Sequence, residues 1–232
     1  MGGWLSDAEA TAFLLSLQVA GAAVACSLPV AVAVALVLAR ARFPGKVLLD
    51  GLVHMPLVLP PVVIGYLLLV TLGRRAPVGA WLYETFGIQL IFTTAGAVVA
   101  AAVVSFPFQV RAIRLAIEAI DRGLEQAAHS LGARPLDAFF SVTLPLMAPG
   151  LIAGAVTAFA ASLGEFGAII TFVSNVEGET RTLPLAIYTA IQTPGGEAQA
   201  ARLVVLSVVL ALSALVIAEW SSRVLRRRLV QG

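Results

Sequence analysis

Five apolar stretches, each about twenty residues or longer, constrain this chain more than any other feature. A helix that crosses the roughly 30 Å hydrocarbon core of a bilayer needs about 20 residues at 1.5 Å per residue. The stretches meet that length at about 13–39, 48–72, 91–117, 151–173 and 203–222. Composition excludes a soluble core as the alternative: 59% of residues are apolar and only 12% are charged, against about a quarter charged in soluble domains. In lipid each segment must satisfy its own backbone hydrogen bonds, so the stretches read as helices. The expected fold class is therefore all-α, a polytopic membrane protein with five transmembrane helices in a single domain over residues 1–232.

Two of the spans carry further instructions. Ser6-x-x-Glu9, just ahead of the first, is a capping-box pattern that starts a helix before the membrane is reached. Gly21, Ala22, Ala23, Ala25 and Pro29 then make this span rich in small residues, which lets helices pack closely in lipid. In the second span Pro56, Pro60, Pro61 and Gly65 fall close together, and proline interrupts the helical hydrogen-bond ladder. Broken backbone at membrane depth survives only against protein or a water-filled cavity. Pro60, Pro61 and Gly65 thus form either a kink fitted to neighbouring helices or part of a pathway lining. Both readings stand.

The basic residues give an orientation, because they favour cytoplasmic ends of spans. Eleven lie on the side of the C-terminus: Arg40, Arg42, Lys46, Arg111, Arg114, Arg122, Arg134, Arg223, Arg226, Arg227 and Arg228. Four, Arg74, Arg75, Arg181 and Arg202, lie on the other. The N-terminus is expected outside and the C-terminus in the cytoplasm. One long polar segment, about 121–146, then faces the cytoplasm. Glu125 is placed near a helix start, where a carboxylate meets the positive end of the dipole. Gln126, Ala127 and Ala128 continue that helix and Gly132 stops it. Pro135 and Asp137 suit a second short helix through Phe139 and Phe140, which Leu144-Pro145 is expected to end. Ala128 and Gly132 give the turn a small-residue face. On the external side, Leu183 to Gln192 is expected as a short helix lying at the interface, ended by Thr193-Pro194-Gly195-Gly196.

Glu125, Ala127-Ala128, Gly132 and the distant Leu144-Pro145 resemble the EAA loop of ABC-importer permeases. The run from Pro56 to Gly65 resembles the molybdate and sulfate branch of that family. Ser162-Leu163-Gly164-Glu165-Phe166-Gly167, Gly178-Glu179-Thr180-Arg181-Thr182 and Gln192-Thr193-Pro194-Gly195-Gly196-Glu197 resemble the permeases of molybdate importers. The likeness covers nearly the whole chain and is densest from Glu125 onward. It implies a type I ABC-importer permease in the inner membrane, paired with a second copy of itself. It also implies two ATP-binding subunits on the cytoplasmic side and a periplasmic oxyanion-binding protein outside. Molybdate is the implied cargo, with tungstate, sulfate and thiosulfate as near variants. Glu125, Gln126, Ala127, Ala128, Gly132, Leu144 and Pro145 are then the residues that couple this chain to the ATPase. The plainer reading of the same segment is an amphipathic linker between two membrane helices.

Chemistry-bearing motifs are few. The single lysine, Lys46, is followed by Val47, so no Gly-Lys-Ser/Thr phosphate loop exists. The chain is expected to be no enzyme and to hold no cofactor, with ATP and magnesium on a partner. His54 and His129 are far apart and without neighbouring cysteines, which leaves a metal site unsupported. Cys26, alone in an apolar run, reads as a small packing residue. The scattered basic residues fit membrane lipid rather than nucleic acid. Trp81, Tyr83 and Trp220 are expected at the bilayer interfaces.

Within the spans, Ser105, Gln109, Thr157, Ser162 and Thr171 are polar enough to line a path, or they bond back to their own helices. Glu165 is the most conspicuous ionisable residue near a span, where carboxylates face the bundle interior or water. It reads as a gate element, or as a structural acceptor for an arginine or for backbone donors; its charge argues against touching an oxyanion. The contrasting class, an ion-coupled carrier working alone, calls for internal repeats or ionisable residues in several spans.

Overall fold

The computed structural model describes residues 5–231, with side chains described as far as Val216 except Leu215. The side chains of Trp220, Arg223, Arg226, Arg227 and Arg228 lie outside the described residues. The helices are α1 (Asp7–Arg40), α2 (Lys46–His54), α3 (Pro61–Leu72), α4 (Pro77–Phe86), α5 (Thr94–Glu118) and α6 (Arg122–Ser130). They continue as α7 (Pro135–Ala138), α8 (Leu144–Leu163), α9 (Gly167–Val173), α10 (Leu183–Gln192) and α11 (Glu197–Gln231). No strand occurs among the described residues, so the chain is all-α.

α1 begins where its capping box predicts. The Ser6 hydroxyl accepts from the Glu9 backbone N–H at 3.3 Å, and the Ser6 N–H donates to the Glu9 carboxylate at 2.7 Å. The helix is 34 residues long, about 51 Å at 1.5 Å per residue and so longer than the apolar core it crosses. It lies along α5. Ala20, Ala23, Ala31 and Ala35 on one side and Ala97, Ala100 and Ala101 on the other are fully buried, and such small side chains let two backbones approach. Two apolar clusters sit above and below this seam. The outer one gathers Leu15, Val19, Ile64, Ile169 and Phe172; the inner one gathers Leu38, Val53, Ile113, Ile117 and Met147.

Four continuous helices are long and apolar enough to cross the apolar layer, and the α2–α3 pair makes a fifth passage when its two legs are taken as one span. That pair bends by 112° around a 3₁₀ turn at Met55–Leu57. Each leg of 12 residues reaches only about 18 Å, too short to cross alone. Val53 joins the inner cluster and Ile64 the outer, so the pair traverses the bundle with a corner in it.

Three local expectations are corrected. Leu144-Pro145 does not end a helix: residues Pro135–Leu163 form one apolar helical run, with a π turn at Phe139–Thr143. The widened turn stands directly before Pro145 and accommodates its ring and missing N–H without a break. The fourth stretch instead divides later, between Leu163 and Gly167. α10 forms over the expected residues and is not merely laid on a surface: Leu183, Leu185, Ala186 and Ala190 are buried against their neighbours. The Ser16 hydroxyl accepts from the Leu183 N–H at 2.7 Å and satisfies a donor at its start. Cys26 is exposed; the adjacent Ser27 takes the buried position on α1.

Gly65 marks the tightest point of this packing among the proline-rich residues. A Cβ there would stand 2.7 Å from the Ala168 carbonyl oxygen and 2.7 Å from the Thr171 Cβ. Gly65→Leu is expected to destabilise the purified protein by about 1–3 kcal/mol, as overpacking of a filled contact does. Gly51→Ala, whose Cβ meets nothing within 4 Å, is expected to leave the thermal unfolding temperature unchanged or slightly raised.

Candidate functional site

The polar loop over residues 121–146 is built on two short helices. Asp121 caps α6, its carboxylate accepting from Gly123 N–H at 2.8 Å. The helix closes at Gly132, whose φ of 92° lies in the left-handed region that L-residues enter at a cost of about 1–2 kcal/mol. The Asp137 carboxylate then accepts from Arg134 N–H at 3.2 Å and starts α7. α6 has no buried residue. Gln126, Ala127 and Gly132 are exposed and Ala128 is half-buried.

Around these residues the loop displays apolar side chains that the sequence reading did not single out. Leu131 is 90% exposed, Leu136 71% and Phe140 62%. An exposed apolar patch on a polar element marks an interaction surface. The signal was present in the sequence as large apolar residues inside an otherwise polar segment. Of the two distal residues, Pro145 is exposed while Leu144 packs against the inner cluster; neither forms a compact face with α6.

Glu125 behaves differently from the rest of α6. Its carboxylate Oε1 accepts from Arg40 Nη2 at 2.8 Å and from the Thr143 hydroxyl at 2.9 Å. Thr143 is buried. The carboxylate therefore joins the end of α1, α6 and the turn that leads into α8.

The pathway candidates separate into two groups. Pro61, Gly65 and Glu165 come together where α3 crosses α9. A Cβ on Gly167 would stand 2.9 Å from the Pro61 Cβ, so the proline-rich corner leans on the glycine-rich one. Glu165 Oε1 accepts from Ala168 N–H at 2.7 Å, and no arginine pairs with it among the described residues. This geometry matches the backbone-donor reading of that carboxylate. Pro60 lies at the same corner with an exposed face.

Deeper along α5, Gln109 is fully buried and its Nε2 donates to the Ser27 hydroxyl at 2.9 Å. Ser27 in turn donates to the Ala23 carbonyl at 2.6 Å. Ser27 was not among the expected residues; only its position opposite Gln109 in the fold reveals it. Ser105 donates back to Ala102 O at 3.4 Å. Thr157 and Thr171 also bond to their own helices, at 2.8 Å and 2.7 Å. Ser162 is buried and its hydroxyl has no hydrogen-bond partner among the described residues. No cluster of three His, Cys, Asp or Glu residues suited to a metal ion occurs among the described residues.

Comparison with known proteins adds an independent line. Residues 27–231 match the family of binding-protein-dependent transport system inner membrane components. The chain is 59% identical over 224 residues to the molybdenum transport system permease protein ModB of Escherichia coli strain K12, covering 97% of this chain and 98% of that protein. It is 55% identical to ModB of Haemophilus influenzae, with the same coverage. Among solved structures, a bacterial alginate ABC transporter in complex with its alginate-bound periplasmic protein aligns with a TM-score of 0.76. That alignment is 19% identical and covers 95% of this chain and 80% of the other, a likeness of fold.

Two side chains lend themselves to direct measurement. Ser27→Val leaves the buried Gln109 amide without a partner and is expected to cost about 1–3 kcal/mol. Adding Gln109→Leu is expected to recover part of that loss, as seen in thermal unfolding of the purified protein. Glu165→Gln keeps an acceptor for Ala168 N–H and is expected to unfold close to wild type. Glu165→Ala loses the cap, and its expected cost is about 0.5–2 kcal/mol.

Proposed function

This chain belongs to the family of binding-protein-dependent transport system inner membrane components, and from that premise we propose that it is the permease subunit of an ATP-driven importer of molybdate. The observation that carries this reading is end-to-end likeness to molybdenum permeases, 59% identity across 97% of the chain. The fold is that of a type I ABC-importer permease, and the protein is a multi-pass protein of the inner membrane.

The finer assignments follow from residues in the chain. Its one lysine precedes Val47, so nucleotide hydrolysis falls to a separate ATP-binding subunit with its magnesium. Leu131, Leu136 and Phe140, with Gln126, Ala127 and Gly132, form the face that docks there. Two permease copies pair, two ATP-binding subunits sit beneath them, and the cargo route follows the two-fold axis. The exposed apolar faces of α3, with Val62, Val63, Tyr66 and Leu67, are available for the second copy or for lipid. Arg40, Arg111, Arg114 and Arg134 gather at the loop's end of the bundle, which supports a cytoplasmic loop and an external N-terminus under the positive-inside rule.

Selectivity is assigned to the periplasmic binding protein. The described spans hold no cluster of basic side chains at mid-depth, so this subunit offers an oxyanion a gated route of low affinity. Alternation between inward-open and outward-open states then works on packed helices, not on a strong anion site.

The test is uptake of labelled molybdate into proteoliposomes containing the permease, the ATP-binding subunit and the binding protein. Uptake is expected to require ATP, and excess sulfate is expected to compete weakly. Leu131→Asp, a change at an exposed position, is expected to leave folding intact and to reduce co-purification of the ATP-binding subunit at least about tenfold, the scale of losing one interface anchor. ATP-independent uptake by the isolated chain overturns the reading.

A further inference from the structure

The coupling helix is short, exposed and attached to the membrane helices by little. Among the described residues, its side-chain hydrogen bonds stay within the loop except at Glu125: Asp121 caps Gly123, His129 meets Ala133 O and Ser130 bonds Gln126 O. Glu125 alone reaches outward. Thr143 ties it to the turn that leads into α8, to which the loop is already covalently joined. Arg40, 85 residues away in sequence, ties it to α1.

That second tie reaches a long lever. Arg40 is the last residue of α1, and the helix is held at its other end by a second ion pair. There Glu9, only 1% exposed, accepts from Arg202 of α11 at 2.9 Å. Between the two pairs, α1 is seated on α5 through fully buried alanines. α1 also packs through Leu15, Val19 and Leu38 in the two apolar clusters, and as one helix of 34 residues it links its two ends mechanically. A displacement delivered at Arg40 is thereby passed along α1 toward the external end of the bundle.

From this geometry we propose that Arg40 is a positioning residue for transport: it holds the Glu125 carboxylate so that movement of the coupling helix drives α1 as well as α8. The inference rests on the reading of residues 121–146 as the docking element for an ATP-binding subunit, and it adds the route by which that element acts. Loss of the Arg40–Glu125 bond leaves the loop and its apolar face in place. ATP-binding subunits still dock and hydrolyse, while less of each cycle reaches the helices. Only one arm of the guanidinium engages Glu125, and the buried Nε has no partner among the described residues. A lysine, with its single ammonium, can therefore replace the bond that counts.

The experiment compares wild type, Arg40→Gln, Arg40→Lys and the exchanged pair Arg40→Glu with Glu125→Arg. Each is assembled with the ATP-binding subunit and the molybdate-binding protein in proteoliposomes. ATP hydrolysis, uptake of labelled molybdate and subunit stoichiometry are measured together. Arg40→Gln is expected to keep the wild-type stoichiometry and to lower molybdate moved per ATP at least about fivefold, the lower range of coupling between distant sites. Arg40→Lys and the exchanged pair are expected to restore most of that ratio. An unchanged ratio in Arg40→Gln overturns the inference, as does a failure of both rescue variants. A parallel fall in assembly, hydrolysis and uptake also overturns it, since that is the signature of damaged folding. Lack of ATP-driven uptake in the wild-type complex refutes the importer reading instead, so the two failures are distinguishable.

Discussion

Every backbone N–H and C=O placed in lipid must find a partner inside the protein, and the architecture follows from how this chain meets that demand. Uninterrupted helix does most of the work. Where helix is interrupted, a side chain fills several of the gaps. Ser6 caps α1 and Thr93 caps α5, accepting from Gly96 N–H at 3.2 Å. Glu165 serves α9 and Ser16 serves α10. Past α9, Thr180 accepts from Val176 N–H and donates to Ser174 O, holding the backbone where Ser174 adopts a φ of 66°. Polar residues in so apolar a chain are largely structural acceptors. That explains why the fold contains breaks without an evident anion site among the described residues.

The same demand shapes the corner between α2 and α3. Proline removes donors and bends the chain, and the exposed carbonyls can be left only where protein or water covers them. Gly65 and Gly167 allow α3 and α9, two short helices, to meet at backbone distance. Two broken passages thereby lean on each other.

Charge has been moved to the ends. Arg40 with Glu125 and Arg114 with Asp50 and Glu118 lie at the loop's end. Glu9 with Arg202 and Arg181 with Glu177 lie at the other. Isolated pairs of this kind stabilise little when exposed to solvent. The value of three of them is positional: Arg40–Glu125, Arg114–Asp50 and Arg202–Glu9 each tie a long helix to a different element.

Hydropathy by itself determined that this is a membrane-spanning all-α chain, because no other structure satisfies so many apolar segments of bilayer length. Local signals also stood in the sequence: the Ser6–Glu9 cap, the α6 stop at Gly132 and the restart at Pro135 depend on neighbours three or four residues away. Tertiary structure decided the rest. That Glu125 would meet Arg40, that Gln109 would meet Ser27, and that Gly65 would sit against Ala168 are contacts between segments dozens of residues apart, to which local periodicity is blind. The fate of Leu144-Pro145 was decided in the same way. Proline forbids one hydrogen bond but does not dictate a break, and the surrounding packing chose a π turn and a continuous helix.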